Sequence, residues 1–405
     1  MWLCFVSILC AEDILYYMKE KIQTDNRVSL LFMIDNLLGG GAERILSFIL
    51  QNIDRKKFDV SLFLVIHEGV YLSQIPNDVK ILYIFRSVKR FSFLPMKYLY
   101  RLYRRTCLEL FKLIPAFLSL RSGIQHHYDI GISFCEGHNL SLLSLKARLF
   151  TKTISWIHVD LRFHHCPLGI PRVGRYASKA DHVYFVSNDA LAGFKELFPG
   201  CKNEQNMEVV YNPVNADEIL KQSELSPEIP KNKFTILAIG RLTKQKRFDK
   251  LINVHKRLLD KGIDNQVWIL GEGEDKSKLE TQAKNLGVSE SCKFLGYQNS
   301  YIYLKSADLF VMTSDYEGLP VVVCEAMVLA KPIVSTCVTG PRELLEDGKY
   351  GLLTDNNEEA IEKGMKDMIL SQELREKYVE KLKENRNHFI FPTNLSYIEK
   401  RLLSL

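Results

Sequence analysis

No two cysteines in this chain stand in a C-x-x-C arrangement, and the nine it has are scattered. That spacing excludes a disulfide framework and a structural zinc site, and it fits a reducing cytoplasm. A strong charge of one sign is also missing. The net charge is only +6, a surplus that favours an anionic substrate or a membrane face without identifying either. Near the start, the apolar run Trp2 to Ala11 is too short to span a bilayer. It has no basic residues ahead of it and carries Glu12 and Asp13 just after, so it does not read as a signal peptide. The expectation is that 1–17 is an extension ahead of a true start at Met18. No repeat shorter than a domain occurs, and no G-x-G-x-x-G dinucleotide fingerprint comes after the first strand. An oxidoreductase is therefore the weakest of the enzyme readings. Nucleic acid is not expected as a partner, because no nucleic-acid-binding motif accompanies the basic stretches.

What is present is an ordinary globular composition, 46% hydrophobic and 25% charged over 405 residues. Such a chain has the length of two or three domains, each with its own core. Val28 to Ile34 is nearly all apolar, the pattern of a strand covered on both faces in a parallel sheet. Gly39-Gly40-Gly41-Ala-Glu43 comes next, then a helical pattern. Glycines there let a ligand approach the backbone closely. Further strands are expected over 60–66, 81–85, 129–134, 153–158, 181–187 and 207–211. His158 stands at the carboxyl end of one of them, where ligands gather in open α/β sheets, whereas His164 and His165 have no such placement. The polar, proline-bearing run from Asn215 reads as a linker. Alternation then restarts with Phe234 to Gly240, and Arg241 and Lys246 arrive just past that strand, a guanidinium and an ammonium suited to a diphosphate. Strands over 267–271, 294–297, 309–313 and 333–336 come after it, and the α/β pattern predicts two doubly wound halves facing a cleft.

The stretch Thr313 to Met327 organises the second half. Glu317 and Glu325 flank a Gly318-Leu319-Pro320 turn, with Pro320 suited to the first helical position. A helix N-terminus with outward amides is an anion site. The two glutamates, one before the helix and one inside it, suit separate hydroxyl acceptors better than a proton-sharing pair. Glu325 lies in the apolar run Val321 to Leu329, and a carboxylate there needs a partner. In the first half, 86–121 carries Lys97, Arg101, Arg104 and Arg105 at helical spacing among Tyr and Leu, with the single acid Glu109. A basic, aromatic helix of that kind can lie on an anionic membrane surface.

Taken together and in order, Glu317-Gly-Leu-Pro-Val-Val-Val-Cys-Glu325, Gly240-Arg241 with Lys246, Gly271-Glu272-Gly273 and Tyr211-Asn212-Pro213-Val214 resemble the retaining nucleotide-sugar glycosyltransferases of family 4, the group 1 glycosyltransferases. The resemblance is specific over roughly 207–356 and looser before it, where Gly39 to Glu43 is similar to the family's glycine loop. It implies the GT-B fold, two Rossmann-like domains facing an interdomain cleft. The domains would be an acceptor-side domain over 1–214, a linker over 215–232, a nucleotide-sugar domain over 233–385, and a C-terminal helix over 386–405 free to pack back on the first domain. By the same resemblance, Arg241 and Lys246 hold the donor diphosphate and meet leaving-group charge. The amides around Gly318, Leu319 and Pro320 cradle phosphate, and Gly40 and Gly41 admit diphosphate or acceptor. Glu325 accepts from the ribose, while Glu317 and His158 contact the transferred sugar. No metal or cofactor is expected.

The activity so implied is transfer of a hexosyl or N-acetylhexosaminyl unit, with retention, from a nucleotide-sugar to a lipid-linked or polysaccharide acceptor in capsule, O-antigen or lipopolysaccharide synthesis. UDP is favoured over GDP as the carrier. The protein would be cytoplasmic and peripheral on the inner membrane face. A nucleotide-sugar epimerase, a soluble glucan-type synthase and a non-catalytic nucleotide-sugar-binding protein stay open as alternatives.

Overall fold

The computed structural model describes residues 27–163, 166, 168–201, 203–225, 228–386 and 395–405. The expected extension over 1–17, the start at Met18, and His164 and His165 lie outside the described residues.

Two parallel sheets form the frame. The first has β1 (Val28–Ile34), β2 (Phe58–His67), β3 (Lys80–Arg86), β4 (Tyr128–Ser133), β5 (Phe150–Ile157), β6 (His182–Phe185) and β7 (Met207–Val209), in the order β3-β2-β1-β4-β5-β6-β7. β8 (Thr235–Ile239), β9 (Gln266–Leu270), β10 (Cys292–Gly296), β11 (Leu309–Met312), β12 (Ile333–Thr336) and β13 (Leu352–Thr354) make the second, in the order β10-β9-β8-β11-β12-β13. Every pairing is parallel, for example Leu30 beside Val60 on one side and Ile130 on the other. Successive side chains of a strand face opposite ways, and β1 shows it. Leu30, Phe32 and Ile34 pack on helix Gly41–Asn52 through Ile45, Leu46 and Ile49, while Leu31 and Met33 pack on the other face with Phe63, Cys107 and Phe111. The second sheet is covered in the same way, by Leu251 and Leu258 on one face and Val323 and Met327 on the other.

Each sheet reverses its winding once, between β1 and β4 and between β8 and β11. Ligands of open α/β sheets bind in the crevice at such switch points, outside the carboxyl ends of the strands. The expected glycine loop follows β1, His158 follows β5 next to β4, Arg241 follows β8, and Glu317 follows β11. Topology thus delivers the glycine loop, Arg241 and Glu317 to the two switch points, with His158 one strand away from the first.

Some local expectations fail. Inside the expected 215–232 linker is a helix, Ala216–Leu225, capped by the Asn215 side chain accepting from Glu218 N at 3.0 Å. Its polarity hides a narrow apolar edge, Ala216 and Ile219, which packs on Val328 of the second domain. β13 was not anticipated, since three residues carry no legible period. Pro320 is the cap of helix Val321–Val328, with its φ of −73° and ψ of 108°, and not its first residue. The last helix, Leu395–Leu403, lies against the first domain. Ile398 and Leu402 join the β1 core, Glu399 accepts from Asp54 N at 2.8 Å, and Arg401 pairs with Glu208 at 2.6 Å.

Candidate active site in the interdomain cleft

The loop after β11 is anchored from below. Thr336 Oγ1 donates to Ser314 O at 2.7 Å and Thr339 Oγ1 to Glu317 O at 2.8 Å. Gln245 Nε2 holds Tyr316 O at 2.8 Å. The loop after β8 is held against it, with Thr313 Oγ1 donating to Lys246 O at 2.9 Å. These bonds fix two side chains together: Lys246 Nζ lies 2.5 Å from Glu317 Oε1, which also accepts from Ser314 Oγ at 2.5 Å. An ammonium has three donors, so Lys246 keeps two for a ligand while neutralising a carboxylate that is almost fully buried. Arg241 is exposed at the same strand end. The turn behind it needs glycine, because Gly271 has φ +138° and a Cβ there would meet Gly240 O at 1.9 Å.

Across the cleft, β5 ends at His158. Burial pushes its imidazole down to about 3, so the ring is neutral at ordinary pH. It sits 4.5 Å from the Phe134 ring, and its Nε2 is buried with no hydrogen-bond partner among the described residues. The backbone N–H of His158 donates to the Glu136 carboxyl, which follows β4. Burial lifts that carboxyl to about 7, although the amides of His158 and Val159 pull it down.

The domains touch at this point. A Cβ on Gly318 would lie 1.9 Å from His158 O, so only glycine allows the loop of the second domain onto the backbone of the first. Leu319 is buried in the first domain's core cluster. Gly41 faces Val321, whose Cγ2 would be 4.0 Å from a Cβ there. Gly40 caps helix Gly41–Asn52 and is met by the carboxylate of Glu43, which folds back over it. A second contact lies nearby: Glu343 accepts from Asn188 N at 2.9 Å and from Tyr211 OH at 2.7 Å.

Glu325 has the partner that its apolar run required. It is buried to 1% exposure, and the partner comes from the other domain. Arg44 Nη1 lies 2.7 Å from Glu325 Oε1, Ser300 Oγ lies 3.2 Å from Oε2, and Arg44 Nη2 donates to Tyr301 OH at 2.8 Å. The structure thus joins Lys246 with Glu317 and Gly318 with His158, and keeps Glu325 apart from Glu317. Sequence reasoning missed Arg44 and Glu136 as site residues. Arg44's one legible signal was its place in the first turn after the glycine loop. Among the described residues, no group of three or more His, Cys, Asp or Glu could hold a metal ion.

The basic segment forms helices Leu94–Leu113 and Pro115–Arg121. Arg101 and Arg105 are exposed beside Phe93, Leu94, Tyr98, Leu99 and Leu102, all more than half exposed. Arg104, by contrast, pairs with Glu68 at 3.0 Å. No described helix is long and apolar enough to cross a membrane.

Comparison with known proteins supplies context for this geometry. The family model described as glycosyl transferases group 1 matches residues 221–385. An uncharacterized glycosyltransferase of Methanocaldococcus jannaschii, MJ1059, is 31% identical over 306 residues, 63% of this chain and 72% of that protein. The lipopolysaccharide core biosynthesis glycosyltransferase LpsE of Rhizobium meliloti is 28% identical over 218 residues, and the match spans 52% of this chain and only 62% of LpsE. Among solved structures, Anabaena HepE in complex with UDP and glucose superposes with a TM-score of 0.70 over 94% of this chain and all of that one, at 19% identity. The two facing parallel-sheet domains are the GT-B fold.

Proposed function

The chain belongs to the group 1 glycosyltransferases, and on that premise we propose that it transfers a hexosyl or N-acetylhexosaminyl unit, with retention, from a UDP-sugar to a lipid-linked or polysaccharide acceptor in cell-surface glycan synthesis. The observation that carries this reading is the Lys246–Glu317 pair standing next to Gly318, which itself lies against the backbone of His158 across the cleft. The names of LpsE and of the UDP complex of HepE support the acceptor class and the carrier.

In this reading the diphosphate lies against Arg241, the two remaining donors of Lys246 and the amides around Gly318, Leu319 and Pro320. Gly40 and Gly41 face it from the first domain. As the glycosidic bond breaks, negative charge grows on the departing diphosphate, and preorganised cations in a closed cleft stabilise it without reorganisation. Glu317, already fixed by Lys246 and Ser314, accepts from sugar hydroxyls. The neutral, otherwise unpartnered Nε2 of His158 completes that contact. The acceptor hydroxyl attacks the anomeric carbon on the face the diphosphate leaves and passes its proton to the departing phosphate oxygen, which yields retention without a carboxylate nucleophile. Glu325 serves the ribose. No metal or other cofactor enters this scheme.

The protein would act in the cytoplasm as a peripheral protein, its 86–121 segment on the anionic inner face of the membrane. Exposed Leu and Tyr beside Arg101 and Arg105 support that placement.

Calorimetric titration with UDP, GDP, ADP and NAD tests the donor class. One sugar-carrier nucleotide should bind, and the Arg241→Ala/Lys246→Ala double variant should lose it. Binding of NAD alone, or of none, would overturn the reading.

A further inference from the structure

Two adjacent side chains from the first turn of helix Gly41–Asn52 project into the donor region with opposite charges. Glu43 turns back over Gly40, so that a Cβ on Gly40 would lie 2.0 Å from its Oε2. Burial raises the pKa of its carboxyl, and the Arg241 guanidinium of the opposite domain opposes that rise by favouring the carboxylate. A carboxylate three residues into a helix that reaches back to the cap amide satisfies one of the free N–H groups there, and this is the place where an anion would otherwise dock. Arg44, the next residue, crosses the cleft to Glu325 Oε1 at 2.7 Å. Ser300 takes Oε2 at 3.2 Å. A carboxylate has about four lone-pair positions. The two vicinal hydroxyls of a ribose need two of them, and Arg44 and Ser300 already hold one on each oxygen. The Arg44 side chain retains 30% exposure while that of Glu325 has 2%, so of the two partners it is the arginine that has room to shift.

We propose that Glu43 and Arg44 are a built-in occupant of the nucleotide site, the carboxylate standing where the diphosphate charge goes and the guanidinium where the ribose hydroxyls go, and that a nucleoside diphosphate displaces both. This inference rests on the donor reading above and extends it to how the empty site is kept. Because the pair comes from one domain and its counter-charges from the other, it also holds the cleft closed without ligand. Donor binding then exchanges the direct Arg44 ion pair for hydrogen bonds from neutral ribose hydroxyls, so Arg44 shifts but stays close enough to remain the counter-charge of the buried Glu325, as the cost of an isolated buried charge requires. Arg44 keeps its second contact, Tyr301 OH at 2.8 Å, as it moves.

Competition of this kind lowers apparent affinity by the fraction of protein in the self-occupied state, so removing the occupant tightens binding. The test is calorimetric titration of UDP, with GDP in parallel, into wild type, Glu43→Gln, Arg44→Gln, Arg44→Lys and the Glu43→Gln/Arg44→Gln double variant. Folding of each is checked by circular dichroism. Glu43→Gln and Arg44→Gln should each bind the nucleotide roughly 3- to 10-fold tighter than wild type, and Arg44→Lys, which keeps the cation, should stay near wild type. Unchanged or weaker binding in the folded glutamine variants would overturn the proposal. Loss of binding in Arg44→Gln with rescue in Arg44→Lys would show instead that Arg44 holds the nucleotide. If wild type binds neither nucleotide, the donor reading itself falls and takes this inference with it. Tight wild-type binding with unaffected variants removes only the inference.

Discussion

Gly318 rests on the carbonyl oxygen of His158, which a Cβ at that position would approach to 1.9 Å. Two domains meet there backbone to backbone, and the loop that carries Glu317 is positioned by the contact. Gly318→Ala cannot be accommodated by rotating a side chain, because the obstructing atom is main chain. Domain closure should be held off by about an ångström, and a misplacement of that size costs on the order of 100-fold in rate. Steady-state kinetics on the variant should show the loss in kcat with a thermal midpoint close to wild type. A wild-type kcat would mean that closure at this contact is not needed.

Lys246→Ala should act in two ways that its neighbour does not. It strips the partner at 2.5 Å from a buried Glu317, so stability should fall by roughly 1–3 kcal/mol, and nucleotide affinity should fall about tenfold or more with the lost charge-assisted bonds. Arg241→Ala removes an exposed side chain and should lower affinity alone. Denaturant unfolding beside UDP titration separates the two. Equal stability losses in both variants would contradict the ion-pair account.

Glu136 supplies a pH dependence whose sign is set by its environment. Burial raises its carboxyl from 4.5 to about 7, so the folded state binds that proton more tightly than the unfolded chain. The stabilising contribution is complete below the unfolded value and is lost as pH rises through about 7. Glu136→Gln cannot titrate. Between about pH 4 and pH 8 its stability should gain on wild type by on the order of 3 kcal/mol. Urea midpoints measured across that range check this, and a constant difference would show that Glu136 does not titrate there.

The helical face at Leu94, Leu99 and Leu102 is more than half exposed beside Arg101 and Arg105. Leu94→Ser/Leu99→Ser/Leu102→Ser should reduce partitioning onto vesicles containing anionic lipid by roughly tenfold or more, while nucleotide binding is untouched. Arg101→Gln/Arg105→Gln should remove most of the preference for anionic over neutral vesicles, at about 1 kcal/mol per cation. Vesicle co-sedimentation reads both, and partitioning that ignores the substitutions would exclude this face as the contact.

Strand positions, and the motifs just beyond the strand ends, were legible in the order of residues. Long apolar runs such as Val28 to Ile34 have one stable place, between two layers of helices, and the glycine, arginine and glutamate motifs sit immediately after such runs. His158, Arg241, Lys246, Glu317 and Gly318 could therefore be picked out before any contact was known. Helix Ala216–Leu225 escaped notice, because its polar surface outweighs the thin edge of Ala216 and Ile219 that it buries. The choice of partners belonged to the tertiary fold. Glu325 had to be neutralised, but nothing local indicated that Arg44 would do it from the far domain, or that Glu136 would take the backbone N–H of His158. Periodicity reports which face of an element is buried. It does not report which remote element covers that face, because strand order and domain closure bring together residues hundreds of positions apart along the chain.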